Sequence, residues 1–211
     1  MLKRRMEVAA VVVLAALSAR CSAGRPYHYY WLDAAPAAAP GPSAPGTPWQ
    51  VKLLVGRVFT PHLYRDDRLV YGNGDVEMGV YEYERWAEMP ADMVQDALVS
   101  SLRATGQYRS VTRTGSSARG DYVLRPRLFA FYGVDRPNLV ARFSMQLELF
   151  EQKAGTTVWQ DTYTHDEPVQ GKGVENLVEA MNRNLKAGVQ QFTTGLGQYF
   201  TAHPPAEPAQ N

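Results

Sequence analysis

The sequence predicts an α+β fold, a single domain in which a mainly antiparallel sheet is covered by two amphipathic helices. Three patterns carry this expectation. Ala141, Phe143, Met145, Leu147 and Leu149 alternate with Arg142, Ser144, Gln146 and Glu148, the signature of a sheet with one dry and one wet face. Val174, Leu177, Val178, Met181, Leu185, Val189, Phe192, Leu196 and Tyr199 recur at helical spacing as one apolar stripe. Strand-like segments joined by turn signals come in two runs, each followed by a helix, which favours helices segregated to one face of a sheet.

The elements follow in order. Tyr27-His28-Tyr29-Tyr30-Trp31-Leu32 is dense enough in aromatics to be extended. Ala34 to Pro48 is an Ala/Pro/Gly run with no charge, expected to be an extended linker. Val51 to Phe59 reads as a strand closed by Pro61. Leu69-Val70-Tyr71 and Val76 to Tyr83 read as the arms of a hairpin about Gly72-Asn73-Gly74-Asp75. Pro90 suits the first turn of a helix carried by Met93, Val94, Ala97, Leu98 and Leu102, and Gly106 ends it. Tyr108 to Thr114 and Tyr122 to Tyr132 are strands, and Pro126 places the second at an edge or a bulge. Ala154-Gly155 turns the alternating strand into Thr157 to Thr164. The final helix, about 26 residues at ~1.5 Å each, is roughly 39 Å long and spans a whole sheet.

The N-terminus predicts export. Lys3-Arg4-Arg5 precede an apolar stretch from Val8 to Leu17, then Ser18-Ala19-Arg20-Cys21. This is the three-part layout of a secretory signal. An apolar run of about ten residues is too short to cross a bilayer, which takes about 20. Cys21 is the only cysteine, so no disulfide forms within the chain, and lipidation at the cut accounts for it. Cleavage with Ala16 and Ser18, or with Cys21 and Ala23, as the small pair is the alternative, and either still exports the chain. The divisions expected are a signal over 1–20, a lipidated N-terminus with aromatic strand and linker over 21–50, the folded body over 51–200, and a disordered Pro-rich tail over 201–211.

Totals narrow the function. At 211 residues the chain favours one domain. The first twenty residues hold a net +3 of a chain total of +1, so the remainder is −2 and has no general pull on nucleic acid. His28, His62, His165 and His203 form no metal-ligand spacing, and Asp161 with His165 on a strand stands about 13 Å apart. Gly115-Ser116-Ser117 lacks the strand-to-helix setting of a nucleophile elbow, and Gly171-Lys172-Gly173 lacks the flanks of a phosphate loop. Glu82, Glu84 and Glu88 read as a solvated strand face. No catalytic residue, metal site or cofactor is expected.

What remains is aromatic: Tyr81, Tyr83 and Trp86, with Arg85 among them. Two roles stand open for Trp86, a plug in the strand-to-helix corner or part of a surface for another protein or a lipid. Tyr81, Tyr83, Arg85 and Trp86 are the expected partner-binding residues. An edge around Pro126, or the long helix, is compatible with self-association.

Several strings carry a resemblance. They are Tyr29-Tyr30-Trp31-Leu32, then Leu69-Val70-Tyr71, then Tyr81-Glu82-Tyr83-Glu84-Arg85-Trp86-Ala87-Glu88-Met89-Pro90 leading into a helix. Gly120-Asp121-Tyr122-Val123-Leu124, Val158-Trp159 and the long final helix follow. In this order the chain resembles the ABC-type transport auxiliary lipoprotein family, over roughly Tyr27 to Phe200. The resemblance implies a non-enzymatic, periplasm-facing subunit of an MCE-type lipid transport system. Its partners would be MCE-domain and ABC permease proteins, its cargo phospholipid, and its anchor a lipid on Cys21 in the outer membrane. Ser22 after the cysteine agrees with outer-membrane sorting. An outer-membrane assembly or cell-wall-binding lipoprotein of similar shape is the alternative.

Overall fold

A computed structural model describes residues 25–33, 49–73, 76–115, 119–135 and 138–205. Cys21 with the signal, the run 34–48 and the tail from residue 206 lie outside the described residues. The strands are β1 (His28–Tyr30), β2 (Trp49–Val55), β3 (Arg68–Gly72), β4 (Met78–Trp86), β5 (Tyr108–Arg113), β6 (Tyr122–Val134), β7 (Val140–Glu151) and β8 (Thr156–Pro168). The helices are α1 (Pro90–Ala104) and α2 (Val174–Ala202).

β6 is the spine of one sheet. On one side it pairs antiparallel with β7, and β7 with β8, over nearly their whole lengths. On the other side its first residues pair with β2, which pairs with β5, and its last residues pair with β3, which leads to β4 and β1. The hairpins β3–β4, β6–β7 and β7–β8 are antiparallel, whereas β2–β5, β2–β6, β3–β6 and β1–β4 are parallel. A parallel pair needs a crossover. Part of that requirement is met by α1, which carries the chain from β4 to β5 on the far side of β2. The α+β class and the two covering helices agree with the sequence reading, and its long ladders are the antiparallel ones.

Both helices pack on one face. The alternation in β7 gives that face Ala141, Phe143, Met145, Leu147 and Leu149, all within 1% of full burial. Against them α2 sets Leu177, Met181, Leu185, Phe192, Leu196 and Phe200, equally buried. At Gly188 a Cβ would come 2.7 Å from the Phe143 ring and 2.8 Å from that of Tyr163. A mid-helix glycine costs about 1 kcal/mol in propensity, and here it lets helix and sheet approach. Ser101 on α1 and Thr193 on α2 share a hydroxyl hydrogen bond at 3.2 Å. Asn184, fully buried, accepts from the Tyr163 hydroxyl at 2.8 Å. Its amide donates to the carbonyls of Ala141 at 2.7 Å and His165 at 2.9 Å.

Pro126 is not at an edge. It sits in the middle of β6, paired with Leu147 on one side and facing the end of β2 on the other. The parallel register there puts the Gly56 carbonyl opposite the amide hydrogen that proline lacks: Gly56 N donates to Leu124 O at 2.8 Å, and Phe59 N donates to Pro126 O at 2.9 Å. The side chain of Gln95, from α1, supplies the missing donor, reaching Gly56 O at 2.7 Å. Only 5% of Gln95 is exposed. Gln95→Leu therefore leaves a buried carbonyl unpaired, and a loss of about 1–3 kcal/mol in urea unfolding is expected. Among the described residues β6 is interior, so Pro126 offers no edge for self-association, and the apolar stripe of the long helix faces the core.

Two expected boundaries move. Residue 51 falls inside β2, and the aromatic segment before the linker belongs to the same sheet, because β1 pairs with β4. Ala87 N donates to Tyr30 O at 2.7 Å, Leu32 is fully buried, and Lys186 on α2 pairs with Asp33 at 2.7 Å. At the other end α2 runs through Ala202, past the expected start of the tail.

Candidate functional site: an aromatic–arginine cluster at the β1–β4 corner

Three of the four residues expected to bind a partner meet on β4. The Arg85 guanidinium lies over the Tyr27 ring at 5.0 Å, and Tyr27 contacts Tyr83 at 6.1 Å. Arg25 covers the Tyr83 ring at 5.1 Å. The result is a file of two rings closed at each end by a guanidinium, Arg25–Tyr83–Tyr27–Arg85, beside the β1–β4 pair. Each cation–π contact is worth about 0.5–1 kcal/mol at an exposed site. Arg85 also donates to the Tyr81 carbonyl at 3.2 Å and stands 3.7 Å from Asp67, which fixes its stem. Tyr81 is half-buried, edge-on to Tyr71 at 5.0 Å, and burial raises its phenol pKa, with Asp135 adding to it. A hydrogen bond with Glu82 is the main cause that raises the Tyr83 phenol. The hairpin beyond carries the exposed Tyr71, Val76 and Met78.

Trp86 stands apart from this surface. It is 2% exposed and packs on Phe131 with centroids 5.5 Å apart. Strand alternation turns it inward while Arg85 turns outward, so it is the corner plug, and it offers no ring for a partner to touch. Its contribution to the cluster is to hold the end of β4.

Arg25 and Tyr27 were missed by sequence reasoning, because their place depends on β1 pairing with β4 across more than fifty residues. The open face of the sheet, opposite the helices, was legible only as wet. There Arg125 lies over Phe150 at 3.7 Å and Arg127 over Phe59 at 5.0 Å. Arg142 grips Asp166 through Nε at 2.7 Å and Nη2 at 2.6 Å, which holds the Asp166 carboxyl below its usual pKa. Phe129 is 46% exposed beside it and lines a shallow depression of about 590 Å³ with Tyr132, Arg142, Ser144 and Thr164.

The acidic and histidine residues do not converge. His165 pairs with Glu167 at 3.5 Å, while Asp161 accepts from Gln191 at 2.9 Å. Glu84 faces His28 at 3.3 Å, and Glu88 is exposed. Tyr30 has its phenol pKa raised far above the ordinary value, first by burial and then by the Glu84 and Glu175 carboxylates. Among the described residues no three His, Cys, Asp or Glu side chains gather as a metal site. No helix among them is long and apolar enough to cross a membrane.

The architecture has solved counterparts. A protein from Xanthomonas campestris matches 83% of this chain with 99% of its own, at 20% identity and a TM-score of 0.71. A second, uncharacterized protein matches 82% of this chain and 99% of its own, at 16% identity and a TM-score of 0.62. A hypothetical protein from Chlamydia trachomatis covers 72% of this chain and 99% of its own, at 9% identity and a TM-score of 0.51. At such identities the likeness is one of fold. No curated protein matches the chain. The model of the ABC-type transport auxiliary lipoprotein component matches residues 30–192, which spans the strands from the end of β1 to β8, α1 and most of α2, and the chain belongs to that family.

Proposed function

We propose that this chain is a non-catalytic, periplasm-facing lipoprotein subunit of an ABC/MCE-type lipid transport system, holding the transporter at the outer membrane. Family membership supports an auxiliary role in transport. The observation that carries the docking role is the file Arg25–Tyr83–Tyr27–Arg85, with Tyr81 and Tyr71 beside it. Tyrosine, tryptophan and arginine are the residues that most often carry interface energy, and here tyrosines and arginines are gathered at one corner, with Tyr27 and Tyr71 exposed and Tyr81, Tyr83 and Arg85 half-buried. The MCE-domain protein of the system is the partner, with the ABC permease behind it and phospholipid as the cargo passed between membranes. Cys21 is the anchor, and Ser22 directs it to the outer membrane.

The test is affinity of the full chain for the MCE-domain protein. Tyr83→Ala combined with Arg85→Glu removes a ring and reverses a charge in the file. Binding is expected to weaken at least about thirtyfold, as loss of a hot spot of about 2 kcal/mol does. Trp86→Phe, which keeps the corner filled, is expected to bind as the parent does. Unchanged binding by the double variant would remove this corner from the interface.

A further inference from the structure

We propose that Tyr29 and Trp31 form a membrane-contact row, beside the partner-binding file, that lies in the phospholipid headgroup layer and sets the orientation of the body on the bilayer. The inference rests on the reading that Cys21 carries the lipid anchor. It adds to that reading a second, protein-made contact with the membrane.

The row comes from strand alternation. In β1 and just after it, residues 29 and 31 point one way and residues 30 and 32 the other. Leu32 is fully buried and Tyr30 is packed on the core. Tyr29 and Trp31 are 64% and 57% exposed. Two large rings within three residues thus face outward at the end of the sheet, where β4 is the partner of β1 among the described residues. Tyr and Trp are the residues that concentrate at membrane–water interfaces, with the ring among the chains and the polar atom among the headgroups.

Chain length supplies the independent argument. Cys21 is four residues before Arg25. Fully extended, that segment reaches about 14 Å. A headgroup layer is about 5–7 Å deep on each side of the hydrocarbon. A lipid on Cys21 therefore holds the Arg25 end of the described chain within about 14 Å of that layer, and Tyr29 and Trp31 follow it four and six residues on. The Ala/Pro run Ala34 to Pro48 follows β1 and so adds no reach between anchor and body. Nor is β1 a loose tether: its pairing with β4, the Ala87–Tyr30 hydrogen bond and the Lys186–Asp33 ion pair join it to sheet and helix.

The test uses the lipid-bearing full chain from cells, reconstituted into vesicles of phosphatidylethanolamine and phosphatidylglycerol with brominated acyl chains. Bromine quenches only indoles that reach the bilayer. Parent protein and Trp31→Phe are compared, the change being conservative at an exposed site. The parent is expected to be quenched, and most of the quenched intensity is expected to vanish in Trp31→Phe. Equal quenching in the two would overturn the proposal. So would an indole at position 31 that is shifted to the blue yet unquenched, which assigns the row to another protein or a second copy. A chain that floats with the vesicles but is unquenched overturns the row alone. A chain that does not float overturns the anchor on Cys21, and the row with it.

Discussion

Asn184→Leu is expected to destabilise the protein by about 3 kcal/mol or more, measured as the shift in urea midpoint at constant slope. The buried amide satisfies three groups at once: the Tyr163 hydroxyl, and the carbonyls of Ala141 and His165. Leucine has a similar volume but no donor or acceptor. Each buried polar group left unpaired costs about 1–3 kcal/mol. Asn184→Asp is expected to fare little better, since a carboxylate accepts from Tyr163 but cannot donate to two carbonyls. Tyr163→Phe removes one of the three partners, and it is expected to lose about 1 kcal/mol. Equal losses for Asn184→Leu and Tyr163→Phe would show that the two carbonyls are satisfied by the sheet alone.

Trp86→Ala is expected to cost about 3–5 kcal/mol, the usual range for truncating a buried aromatic. The ring is 2% exposed and packed at a tilt against Phe131, which in turn meets Phe143 edge-on at 5.9 Å. The cavity would open where β4 hands over to α1, so the Tyr81–Arg85 stretch would loosen with it. Trp86→Phe retains most of the apolar volume and is expected to lose under half as much. The pairing of measurements matters for function. Stability should fall sharply in Trp86→Ala, while partner binding by Trp86→Phe stays at the parent level. The reverse pattern, a stable variant that fails to bind, would place this ring at an interface.

The one-dimensional pattern determined a good deal. The alternation in β7 and the apolar stripe of α2 are periodic signals, and periodicity is enforced locally by the geometry of strand and helix. Hence the α+β class, the two helices, the turn at Gly155 and the helix stop at Gly106 were all legible. Pro90 and Gly106 mark the ends of α1 because each imposes its own backbone angle; Gly106 has φ +63°. The same locality explains why Trp86 was left between two roles: a tryptophan in a strand-to-helix corner has the same sequence whether it turns in or out.

What only the tertiary structure decided depends on strands that meet from far apart. Pro126 reads as an edge residue because proline lacks a ladder donor. The fold keeps it central by bringing Gln95 from α1 to the Gly56 carbonyl that the proline would otherwise leave unpaired. The aromatic segment before the linker reads as a separate piece, yet parallel pairing with β4 makes it part of the sheet and assembles Arg25, Tyr27, Tyr83 and Arg85 into one surface. Register between distant strands is set by the summed packing of both faces and by the crossovers, and no short stretch of sequence contains that sum.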